Sequence, residues 1–109
     1  MQTVIHVTCK RNASLRQRIL DDISRLDGYG LEVALHKAHA RNPGWAKIHG
    51  TTNDVRSALN FDWDGRTKTL TVRAVHREGK KPGILVGRFV AYLLGRHRSR
   101  IRMMVVLPD

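Results

Sequence analysis

Residues 57–75, SALNFDWDGRTKTLTVRAV, restrict the fold more than any other stretch of this chain. Leu59, Phe61 and Trp63 alternate with polar residues before Asp64-Gly65, and Leu70, Val72 and Ala74 alternate after it. A period of two puts each apolar set on one face of a strand, and an Asp-Gly pair between such runs predicts a two-residue hairpin turn. The product is an antiparallel pair with one oily face. Two strands alone are marginal in water, so the remaining residues must extend the sheet and cover that face.

Further strands are read on both sides of the hairpin. Residues 3–9, TVIHVTC, alternate and are β-branched, with Ile5, Val7 and Cys9 inward and Val4 and His6 on the other face. WAKIHG, residues 45–50, reads as a short strand after the Asn42-Pro43-Gly44 break, and TTNDV as a loop. IRMMVVLP, from Ile101, is apolar on both faces, which predicts a central strand buried on both sides.

The cover comes from two amphipathic segments. Ser14 with Gln17 three residues on fits a capping box, and Leu15, Ile19, Leu20, Ile23 and Leu26 form a stripe that Gly28 and Gly30 end. After the break REGKKPG, Pro82 opens a second helix to about His97. Val86, Phe89, Val90, Leu93 and Leu94 share its inner face, opposite Lys81, Arg88 and Arg96. Residues 31–40, LEVALHKAHA, fit either period and are assigned to a helical or irregular excursion.

These elements predict an α+β domain, with both helices on one face of a four- or five-stranded antiparallel or mixed sheet in the order β-α-β-β-β-α-β. That order resembles a ferredoxin-like split βαβ variant, a likeness of fold that carries no function. With 109 residues, 41% of them hydrophobic, the chain is read as a single domain, residues 1–109, able to bury one core without staples. Cys9, without a second cysteine, and the lack of a long apolar leader or membrane-length run point to the cytoplasm.

Charge is the strongest functional signal. Twenty basic residues oppose nine acidic ones, and residues 73–102 hold nine Lys or Arg against Glu78 alone. Arginine dominates, which suits bidentate phosphate contacts and stacking on bases. A basic footprint of this kind points first to nucleic acid, RNA slightly ahead of DNA, second to an anionic membrane and third to an acidic protein. Arg96, Arg98, Arg100 and Arg102 alternate, and in an extended segment they would form a ladder along one edge. Lys80 and Lys81 precede the second helix, whose N-terminal N–H groups could receive a phosphate, and Arg88 lies on its outer side.

The sheet face left bare by the helices is expected to carry His6, Trp45, Lys47, His49, Asn60, Asp62 and Arg73. Rings and guanidinium planes there could stack on bases while cations meet phosphates, although the RRM consensus is absent. The same face could instead seal a homodimer or dock an acidic partner. A third reading is a small metal-independent ribonuclease, in which His6 and His49 flank a phosphodiester as base and acid with Lys47 or Arg73 stabilising charge. His36 and His39 sit three apart without an HExxH pattern or a third ligand, so neither metal nor cofactor is expected. Asp64 is assigned to the turn and Cys9 to the core.

Overall fold

The computed structural model describes residues 2–35, 46–50, 57–76 and 82–108. Within them the alternating segments form β1 (Gln2–Cys9), β2 (Leu31–Leu35), β3 (Ala46–Gly50), β4 (Ser57–Asp64), β5 (Thr69–His76) and β6 (Ile101–Leu107). The amphipathic segments form α1 (Leu15–Asp21), α2 (Ile23–Leu26) and α3 (Gly83–Arg96), with single 3-10 turns at Asp27–Tyr29 and Arg98–Arg100. The domain is α+β, with a six-stranded sheet in the order β2-β3-β4-β5-β1-β6 and every pairing antiparallel. No helix among the described residues is long and apolar enough to cross a membrane.

One hydrophobic cluster joins the sheet to the helices. Ile5, Val7, Leu31, Ile48, Leu59, Phe61, Leu70, Val72 and Ala74 line one sheet face, and Leu15, Ile19, Leu26, Leu85, Phe89, Tyr92 and Leu93 come down onto it. Full burial of a large aliphatic or aromatic side chain stabilises by roughly 1.5–3 kcal/mol, so this layer dominates the folding free energy. Phe61 and Phe89 meet across the layers with ring centroids 5.2 Å apart.

Ser14 caps α1, its Oγ accepting from the Gln17 N–H at 3.2 Å. The Gln17 side chain reaches forward to Asp21 at 3.0 Å, so the box closes on one side only. The expected single helix divides at Asp22 (φ −105°, ψ 24°), whose carboxylate is taken by Tyr92 and Arg96 of α3. Gly30 then ends the helical segment with φ 74°, the left-handed region glycine enters at little cost.

Several expectations are corrected. The described residues form six strands rather than four or five, and the ferredoxin-like order is not adopted: β1 lies between β5 and β6, antiparallel to both. Residues 31–35 are strand rather than helix, because pairing with β3 supplies the tertiary context that local propensity left open. The β4–β5 connection has four residues, 65–68, not two. Its left-handed position is Lys68 (φ 55°), and the Asp64 carboxylate accepts from the Arg66 N–H at 2.9 Å.

The buried stripe of α3 runs through Leu85, Phe89, Tyr92 and Leu93, leaving Leu94 exposed and Val86 half-buried. The tyrosine hydroxyl finds partners inside, which lets a polar-tipped ring take a core position. Most consequential is β6, expected at the centre and found at the edge. The helices pack over β2 and β4, so Val106, paired with the buried Ile5 on the helix-side face, stays exposed at the β6 edge.

Candidate nucleic-acid interface

Antiparallel topology gathers charge that is dispersed along the sequence. The end of β1, the β4–β5 turn and the start of β6 lie at the same end of the adjoining strands β4, β5, β1 and β6. The sequence places Lys10 and Arg11 after β1, Arg66 and Lys68 in the turn, and Arg98 and Arg100 before β6. Main-chain bonds tie the three connections together. The Cys9 N–H donates to the Lys68 carbonyl at 2.8 Å, and the Lys10 N–H to the Arg100 carbonyl at 3.0 Å.

A cavity of about 520 Å³ opens at this end. Lys10, Arg11, Arg18 and Arg100 line it together with Cys9, Ala13, Leu15 and Ser99, and no carboxylate is among the described lining residues. Among the described residues none of those four cations is ion-paired. Burial pushes the Cys9 thiol up, an effect only partly offset by the charge of Arg100, so the thiol is neutral at pH 7.

A second basic group behaves differently. Arg96 grips Asp22 with two bonds, Nε to Oδ2 at 3.2 Å and Nη2 to Oδ1 at 3.1 Å. The Tyr92 hydroxyl donates to Asp22 Oδ2 at 3.0 Å and lies 2.8 Å from His97 Nε2. With the phenol proton directed to Asp22, His97 donates from Nε2, which leaves its buried Nδ1 a lone pair without a partner. Hydrogen bonding from Arg96 first, then from Tyr92, holds Asp22 below the usual carboxylate range. Burial lowers the His97 pKa; Asp22 opposes this, while Arg100, Arg96 and Arg18 add to it.

The four-arginine ladder does not form. Arg98–Arg100 is a 3-10 turn rather than extended chain, so alternation in sequence does not become alternation along an edge. Arg96 is held by Asp22, Arg98 Nε donates to the Leu94 carbonyl at 3.4 Å, and Arg100 joins the cavity. Arg102 falls at the irregularity where β1 pairs first Thr8 with Met103 and then Cys9 with Ile101. Arg88 is spent within the molecule, its Nη1 donating to the Gly30 carbonyl at 3.2 Å.

The sheet face opposite the helices carries the other expected groups. Lys47, Asn60, Arg73 and Val4 stand in one cross-strand row, with Arg73 exposed and Lys47 half-buried. His49 sits between Glu32, 3.1 Å from its Nδ1, and the Gly50 carbonyl at 2.9 Å. His6 Nδ1 lies 3.3 Å from Thr71 Oγ1. His6 and His49 share this face but sit three strands and four register positions apart. At about 4.8 Å per strand and 3.3 Å per residue that separation is roughly 19 Å, too far for two imidazoles to flank one phosphodiester. Trp45, Lys80 and Lys81, and the His36/His39 pair, lie outside the described residues.

Lys10, Arg11 and Arg18 were not singled out by sequence reasoning as phosphate contacts. The signal for them was topological: once β6 pairs with β1, the residues after Cys9 must meet those before Ile101. No protein-family model, curated protein or solved structure matches this chain.

Proposed function

We propose that this chain is a small nucleic-acid-binding module, RNA slightly ahead of DNA, which seats phosphates at the basic end of its sheet. One observation carries the reading: Lys10, Arg11, Arg18 and Arg100 surround a single cavity with no acid among its described lining residues. Two like charges about 6 Å apart repel by roughly 0.7 kcal/mol in water and about 3 kcal/mol at an effective dielectric of 20. A phosphate between them reverses the sign of that energy. Arg66, Lys68 and Arg98, on the neighbouring connections, extend the same positive end along a backbone. Lys47, His49 and Arg73 on the open face are the described groups that could meet bases or further phosphates, with Arg73 offering a guanidinium plane for stacking.

Anisotropy titrations with unrelated RNA and DNA oligomers of about 20 nucleotides, over a range of salt, test this directly. Log affinity should fall against log salt by about 0.7 per single-strand phosphate neutralised. Replacing Lys10, Arg11, Arg18 and Arg100 by alanine should flatten that slope by about 3, four contacts at 0.7 each. Removing the single charge of Arg25 on α2 should change it by less than one contact. Absence of binding at low salt, or an unaltered slope in the fourfold variant, would end this reading.

A further inference from the structure

We infer that β6 is a homodimerisation edge, pairing antiparallel with β6 of a second copy to join two six-stranded sheets into one. The two edges of the sheet are built differently. β2 carries the exposed carboxylate of Glu32, and its pairing with β3 is irregular between Val33 and Leu35; both are ordinary ways of discouraging further pairing. β6 pairs regularly with β1 from Met103 to Leu107 and presents no charge over those five residues. Met103, Val105, Val106 and Leu107 are all exposed, at 54%, 36%, 42% and 46%. A long apolar edge strand with unpaired main-chain groups templates another strand.

Charge favours a second copy in one orientation. The chain is strongly cationic, so two copies associate only where their positive ends are kept apart. Antiparallel pairing centred on Met104 sets Ile101 opposite Leu107 of the second copy, Arg102 opposite Val106, and Met103 opposite Val105. No arginine then faces an arginine, whereas a register centred on Arg102 would set like charges directly opposite one another. The basic ends, which begin at Arg98–Arg100, go to opposite ends of the pair. Seven residues at about 3.3 Å span about 23 Å, nearly three Debye lengths at physiological salt, so their repulsion is largely screened. On the open face, Met103 of each copy meets Val105 of the other, and Leu107 with Val4, its partner on β1, widens the apolar band.

Sedimentation velocity of the full chain at micromolar concentrations should show a dimer, and Val105→Lys/Leu107→Lys should raise its dissociation constant at least tenfold. Val75→Lys, on the same face but on β5 away from the edge, should leave the dimer in place. A monomeric wild type, or a dimer abolished by Val75→Lys and kept by the edge variant, overturns the proposal; the latter pattern would mark face-to-face association. If the edge variant fails to fold, amide exchange of the wild type decides. Protection along Ile101–Leu107 should rise with protein concentration, and protection independent of concentration overturns the edge pairing.

Discussion

Arg96 and Arg100 stand four residues apart in one basic run, and the molecule treats them in opposite ways. Arg96 is clamped by Asp22, which also accepts from Tyr92 and lies 3.6 Å from His97. Arg100, the last residue of a 3-10 turn, joins Lys10, Arg11 and Arg18, where no acid among the described residues answers it. The lesson concerns the use of charge. A cation with an internal partner contributes to folding, whereas a cluster left without one adds repulsion that a bound anion can relieve.

The sharpest way to break the contrast is to remove the acid from the first region. Asp22→Ala leaves Tyr92 and Arg96 without their acceptor and should cost about 1–3 kcal/mol in urea unfolding. Arg100→Ala should stay within about 0.5 kcal/mol of wild type, because it removes repulsion along with contact. Equal losses in the two variants would erase the distinction. A steric probe of the same region is Gly95→Ala, since a Cβ at Gly95 would collide with the Tyr29 hydroxyl. Tyr29 packs edge-on against Tyr92 with centroids 5.5 Å apart, so it has little room to retreat, and the variant should lose about 1–3 kcal/mol.

The strand–helix inventory was largely legible because the two periods are unambiguous where a face is buried. The alternation around Asp64-Gly65 put Leu59, Phe61, Leu70, Val72 and Ala74 in the core where they are found. Strand order was not legible. IRMMVVL reads as a central strand because apolarity on both faces normally means two covers, yet this strand lies at an edge with four large apolar side chains exposed. The basic site was half visible for the same reason. Arg100 stood out in a dense local run, while Lys10 and Arg18 became its neighbours only through the β1–β6 pairing and the packing of α1. Arg96 looked like part of the site until Asp22, 74 residues away, claimed it.

Acid sensitivity should separate the two regions next. His97 is buried, with its folded pKa below the ordinary 6.5, so the unfolded chain takes up the proton first. Stability from this group is complete above pH 6.5 and is lost as pH falls from there toward the folded value. Asp22, held below the ordinary 3.8, behaves likewise at lower pH: its contribution is complete above 3.8 and fades as pH drops through its folded pKa. Urea midpoints should therefore decline in two stages on acidification, the second largely missing in Asp22→Ala. The fourfold cavity variant should keep both stages. A flat profile between pH 7 and 5 would mean that His97 titrates in the folded protein where it does in the unfolded chain.

The smallest effect concerns how far the unpaired cluster reaches into the paired one. Arg100 and Arg18 line the cavity, and both also disfavour charge on His97. Removing Arg100 takes away one of three positive charges acting on the imidazole while burial, the leading cause, remains. The His97 titration followed by NMR in Arg100→Ala should thus move up toward the ordinary histidine value without reaching it. Binding of a phosphate in the cavity should push in the same direction, because an anion there screens the same charges. A shift in the variant with none on adding phosphate would mean that the cations act on His97 without an anion settling among them. An unmoved titration in both would mean that the two halves of this arginine run are electrostatically separate, despite being joined by a single 3-10 turn.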